Sequence, residues 1–181
     1  EVRHLIGAEP HTRLRYQCAP FHTQSPLHPM IEQFERAAGF TRSDTTAEKY
    51  ARTEALLRGS LPAGRVVEVL PLLAALLSLP PDQGVPQPAY VPQKQKELTL
   101  QALSELVLAL SARQPVLVQF EDVHWIDPTT QDVLDLLIGQ IPHAPVLMIV
   151  TCRPEYVSRW SGAAHVSTIV LNRLNRRIGA D

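Results

Sequence analysis

Two consecutive carboxylates, Glu121 and Asp122, close an apolar run that begins at Val116. The run has the composition of a strand, so the acids fall at its carboxyl end. In an open parallel sheet, ligands bind outside the carboxyl ends of the strands. A carboxylate there can hold a magnesium ion through water, because magnesium keeps most of its hydration shell and asks for only one or two protein oxygens. A second carboxylate beside it can orient or deprotonate a water that attacks a terminal phosphate. This is a Walker B type of arrangement. Strand ends also carry Asp or Glu simply to stop pairing and begin a loop, and the pattern alone leaves both readings open.

A second apolar run, Pro145-Val-Leu-Met-Ile-Val150, ends in Thr151-Cys152-Arg153-Pro154. If the two runs are parallel neighbours, a hydroxyl and a guanidinium emerge beside the acids, where polar groups can sense a terminal phosphate. Taken by itself, Arg153 reads equally well as a surface cation capped by Pro154.

These groups need a sheet to hold them. Both apolar runs open with proline and consist mainly of branched residues, which predicts strands buried on both faces in a parallel sheet covered by helices. Arg13–Cys18 alternates polar and apolar residues and is a weaker strand candidate, and Val166–Leu171 is a fourth. Helices fill the gaps. Ser25-Pro26 sets up a start for a helix through Met30, Ile31, Phe34 and Ala38 that Gly39 stops. Thr45 and Glu48 make a capping box for a helix ending at Gly59. Gln93–Ala112 places Leu98, Ala102, Leu106, Ala109 and Leu110 on one stripe. Asp127-Pro128 opens a helix with Val133, Leu134, Leu137 and Ile141 facing inward, Asp127 serving as its N-cap. The alternation predicts an α/β fold with right-handed crossovers.

Composition narrows the function classes. The chain has 181 residues, 45% hydrophobic and 19% charged, enough for one domain with a real core. A formal net charge of −1 gives no electrostatic footprint for nucleic acid; Arg173, Arg176 and Arg177 near the end read as a solvated surface. Two cysteines, Cys18 and Cys152, have no zinc-type spacing and suit a reducing compartment. The apolar run Val69–Leu79, interrupted by Pro71, is too short to cross a bilayer. It reads as a core or partner-facing helix. His22 and His28 lack a third ligand in register, so no metal site is expected there.

Three stretches carry a family resemblance: Phe-Glu-Asp-Val-His-Trp-Ile-Asp-Pro-Thr-Thr (120–130), Tyr-Gln-Cys-Ala-Pro-Phe-His-Thr-Gln-Ser-Pro-Leu-His-Pro (16–29) and Val-Thr-Cys-Arg-Pro-Glu (150–155). They resemble the signal-transduction ATPases of the STAND group, and more narrowly the AAA-like ATPase module that follows the cyclase domain in bacterial adenylate/guanylate cyclase-like proteins. The resemblance runs from about residue 8 to residue 174. It implies ATP and Mg2+ as cofactors, Glu121 at the magnesium-side position, Asp122 at the water-activating position and Arg153 at a sensor-like strand end. The magnesium role stays open between Glu121 and Asp122. Thr151 and His124 are the further candidates for contact with phosphate, while a backbone partner for His124 and a packing role for Trp125 are the structural alternatives.

Such a module also needs Gly-x-x-x-x-Gly-Lys-Ser/Thr, whose amides and lysine cradle phosphate. Lys49, Lys94 and Lys96 have no such setting. The expectation is therefore a partial P-loop NTPase-type sheet over residues 1–181, without its first strand and P-loop, in which residues 1–7 end the first helix. The resemblance places the missing strand between the Thr151 strand and the last one. Glu1 is not Met, which suggests a piece of a longer cytoplasmic protein. Its expected role is ATP binding or hydrolysis that regulates an attached or partner signalling domain, with no membrane contact and no direct nucleic-acid contact by this segment. A LuxR-type transcription regulator's ATPase module and a degenerate, non-catalytic interaction scaffold are the alternatives.

Overall fold

The computed structural model describes residues 10–81, 84, 85 and 87–171. In chain order the elements are β1 (Thr12–Gln17), α1 (His28–Ala38), α2 (Thr46–Arg58), α3 (Ala63–Leu76), α4 (Pro92–Ser111), β2 (Val116–Glu121), α5 (Pro128–Gln140) and β3 (Val146–Val150). The expectations for residues 1–7 and for 172–174 and the terminal arginines lie outside the described residues.

The strands form a parallel sheet in the order β1-β2-β3. Arg15 pairs in register with Gln119, and Gln119 with Ile149. Because side chains alternate across a strand, Leu14, Tyr16, Val116, Val118 and Phe120 share one face. All are buried, with the Tyr16 and Phe120 ring centroids 4.6 Å apart. α1 packs on β1 and α4 on β2, α2 and α3 pack against these helices and each other, and all five helices contribute to one core, Phe34, Leu57, Leu73, Val107 and Leu134 among others. Phe120 has no exposed surface, and its truncation to alanine would cost about 3–5 kcal/mol.

β2 has no exposed residue and its Leu117 is 5% exposed, as expected of a strand buried on both sides, but the other face corrects that expectation for β3. It carries Arg13, Arg15, Gln119 and Glu121 beside Leu117, Leu147 and Ile149, and no described helix covers it. Leu147 is 53% exposed. The polar residues pair laterally instead, Arg13 Nε donating to Gln119 Oε1 at 2.5 Å.

The helices start and stop where their chemistry dictates, with two adjustments. The first helix begins at His28 rather than after Ser25, with Pro29 in its first turn, and Gly39 ends it at φ 68°. The stripe on α4 is rotated from the expected one: Ala102 and Leu106 are buried, but Leu100, Leu103 and Val107 complete the inward face. The Thr45–Glu48 capping box forms as expected, and α3 continues through Pro71.

Val166–Leu171 does not form a strand. Ile169, Val170 and Leu171 are 80–88% exposed. The chain after β3 is drawn onto α5: Tyr156 Oη donates to Gln131 at 2.7 Å, Trp160 Nε1 to Asp135 at 2.7 Å, and Arg159 pairs with Asp135 at 3.0 Å. Among the described residues, the outer edge of β3 has no strand partner. The outer edge of β1, by contrast, is capped by α1. The Arg15 backbone N–H donates to Gln33 Oε1, and Arg36 donates to the Arg15 carbonyl.

Candidate functional site at the strand ends

Parallel pairing brings the carboxyl ends of β2 and β3 to one sheet edge, as the paired apolar runs predict. The chain leaves β2 through Asp122, which adopts φ 58°, ψ 41°. Aspartate tolerates this left-handed conformation better than most residues. The turn aims the Asp122 amide at β3, where it donates to Thr151 Oγ1 at 3.1 Å. Two backbone bonds extend the seam: Thr151 N–H to the Phe120 carbonyl at 2.9 Å and Val123 N–H to the Thr151 carbonyl at 3.0 Å.

The two carboxylates differ in what holds them. Arg15 reaches across from β1 and forks onto Glu121, Nε to Oε1 at 2.9 Å and a terminal nitrogen to Oε2 at 2.6 Å. This donation holds the Glu121 carboxyl below the usual carboxylate range, against a smaller opposing effect of burial. Asp122 is exposed. Its Oδ2 accepts from Gln17 Nε2 at 2.9 Å, and Oδ1 has no partner among the described residues.

Asp127 stands apart from this chemistry. It is 2% exposed and caps α5 by accepting from the amides of Thr129 and Thr130, both at 3.0 Å, and from the Thr130 hydroxyl. It also accepts from the Leu27 amide at 3.4 Å, tying the loop after β1 to the loop after β2. Asp127 is the N-cap expected of Asp127-Pro128, with an added cross-loop role.

The remaining candidates lie around the same edge. His124 sits in the short turn Val123–Trp125, and both of its ring nitrogens are buried without a hydrogen-bond partner among the described residues. The backbone partner considered for it is not made. A buried polar group left unpaired costs about 1–3 kcal/mol, so this imidazole is the unsatisfied element of the site. Its ring lies 5.1 Å from Trp125. Trp125 packs against the core and carries the Arg153 guanidinium 5.8 Å from its own ring centroid. Arg153 otherwise approaches Glu155 at 3.9 Å, with 60% of its side chain exposed. It shares the edge with the acids but is held by the Trp125 ring.

For a hydrated magnesium ion, the donor set is adequate but sparse. One open carboxylate oxygen on Asp122, with Glu121 adjacent, can hold such an ion through its waters. Among the described residues no group of three or more His, Cys, Asp and Glu side chains could enclose a metal. His22 and His28 stack with their ring centroids 3.5 Å apart. An open groove of about 360 Å³ runs beside α1, lined by Glu32, Arg36, Phe40 and Lys49 among others; the strand-end residues do not line it.

Sequence reasoning missed Arg15 and Gln17. Their signal was the alternation Arg13-x-Arg15-x-Gln17 on β1, which places three polar side chains on one face beside the acidic strand.

The chain is 32% identical over 176 residues to an uncharacterized protein of Rhizobium meliloti (strain 1021). The match covers 97% of this chain but spans only 16% of that relative's length. No family model matches the chain. No solved structure matches it.

Proposed function

We propose that the chain is part of an ATP-binding and ATP-hydrolysing signal-transduction module of the STAND type that controls an attached output domain in the cytoplasm. The observation that carries this reading is the edge where Glu121, Asp122, Thr151 and Arg153 emerge together, with the unpartnered imidazole of His124 beside them.

Magnesium would neutralise developing charge on the phosphates. Asp122, exposed and with one oxygen open, is placed to hold a water of that ion's shell or to orient an attacking water. Thr151 fixes the Asp122 backbone and keeps a hydroxyl hydrogen for donation. His124 can offer a nitrogen to a phosphate oxygen, relieving the cost of its unpaired burial. Arg153 can leave the Trp125 face and reach anionic charge. The phosphate cradle, a glycine-rich loop with its lysine, would come from elsewhere in the longer protein. The strand carrying it would pair with the outer edge of β3.

The scaffold alternative has its own support: Leu147 and Ile169–Leu171 are exposed apolar surface that a partner domain could cover without any hydrolysis. Single-turnover ATP hydrolysis in the longer protein separates the two readings. Asp122→Asn keeps the shape but cannot take up the water's proton or carry charge, so turnover should vanish while ATP still binds. Hydrolysis by Asp122→Asn at the parent rate would overturn the catalytic assignment. No hydrolysis by the parent itself would leave the scaffold.

A further inference from the structure

Among the described residues, the side chains that donate to the two carboxylates, Arg15 and Gln17, both lie on β1. Arg15 grips Glu121 with two nitrogens, Gln17 accepts from an Arg15 nitrogen at 3.2 Å, and Gln17 donates to Asp122 Oδ2 at 2.9 Å. The four residues form a continuous run of contacts, Glu121 to Arg15 to Gln17 to Asp122. A guanidinium fork is planar and matches both oxygens of a carboxylate at once. A cation approaching Glu121 must therefore displace Arg15, whereas Asp122 keeps Oδ1 free.

We propose that Arg15 is a positioning residue that withholds Glu121 from a divalent cation and leaves Asp122 as the carboxylate facing it. The inference rests on the acidic edge being the cation-binding part of the proposed module. It goes further by separating the roles of the two acids and assigning that separation to a residue on a neighbouring strand. The Arg15 side chain is 54% exposed and that of Glu121 25%. An ion pair this exposed contributes little to stability. Its consequence lies in who can use the Glu121 oxygens. Without Arg15, two adjacent carboxylates would face solvent with one positive charge fewer beside them, and both effects favour a cation.

The test is titration of the chain with Mn2+ followed by electron paramagnetic resonance, with no nucleotide present. Arg15→Gln should bind Mn2+ roughly fivefold more tightly than the parent chain, the scale expected when a partly screened unit charge and its competing fork are removed. Arg15→Gln with Glu121→Gln should return to the parent affinity, because the gain comes from Glu121. Arg15→Lys keeps the charge without the fork and should fall between, giving a second measure if Arg15→Gln folds poorly by circular dichroism. Affinity of Arg15→Gln within twofold of the parent, or no saturable binding by it, would overturn the proposal. So would a gain that survives in the double variant. Since no nucleotide is involved, a parent protein that fails to hydrolyse ATP would sink the functional reading and leave this result standing, and the reverse also holds.

Discussion

The backbone amide of Asp122 donates to the Thr151 hydroxyl at 3.1 Å, joining the residue that follows β2 to the residue that follows β3. This bond matters because Asp122 sits at φ 58°, a conformation that costs energy in a non-glycine residue unless its surroundings fix it. The seam of Phe120, Asp122, Val123 and Thr151 bonds supplies that fixing. The direction of the Asp122 carboxylate is thus set from the neighbouring strand.

Thr151→Val should therefore loosen the turn. It preserves shape but leaves the Asp122 amide without its acceptor, and the expected cost is about 1 kcal/mol. Thr151→Ser, which restores the oxygen, should recover most of it. Urea denaturation of the three proteins measures the difference. Equal midpoints for all three would mean that solvent satisfies the amide just as well.

Asp127→Ala should cost more, about 2–3 kcal/mol, since it removes a buried helix cap and orphans several donors together. Leu27 and its loop should loosen with it, because the Leu27 amide loses its partner across the site. Hydrogen exchange at Leu27, Thr129 and Thr130 reads this directly. Protection lost at the two threonines alone would show that the cross-loop bond carries no weight.

The two thiols should differ sharply in reactivity. Cys18 is 3% exposed, and burial together with the charges of Asp127 and Asp122 pushes its thiol up to about 12. The thiolate is the reactive form, so Cys18 should stay unmodified at neutral pH. Cys152 is exposed. Titration of the native chain with a disulfide reagent should release one equivalent quickly and the second only on unfolding. Rapid release of both would show that the loop after β1 opens readily.

Much of the scaffold was legible because it is local. The Thr45 capping box, Asp127-Pro128, Gly39 and the two proline-opened apolar runs each state their role within a few residues. The parallel pairing of β2 and β3, and the shared edge of Glu121, Asp122, Thr151 and Arg153, followed from those runs. What the sequence hid depends on distance. The Arg15 grip on Glu121 joins residues 106 positions apart, and no short pattern announces it. Val166–Leu171 has strand composition, yet composition cannot supply a neighbour. Asp135 and Gln131 on α5 offer the preceding stretch polar partners, and the apolar residues beyond it stay in solvent. For β3, the expectation of two covered faces failed for a related reason. Apolar β3 reads as buried by its residue types, while the polar partners Arg13 and Gln119 on the same face belong to a surface left open.

That open surface makes a last prediction. The outer edge of β3 has no strand partner among the described residues, and Leu147 and Ile149 lie on the uncovered face beside it. Unpaired, flat, apolar edges invite pairing with another chain, and natural sheets blunt them with charge, lysine above all. The 181-residue chain should therefore self-associate as its concentration rises. Leu147→Lys should suppress this with little loss of stability, since the Leu147 side chain contributes little to the core from a half-exposed position. A lysine there can extend its charged end into water while its methylenes cover the site. Sedimentation velocity over a concentration series, alongside thermal unfolding, measures both effects. Association unchanged by Leu147→Lys would place the sticky surface elsewhere, with exposed Ile169–Leu171 the next segment to test.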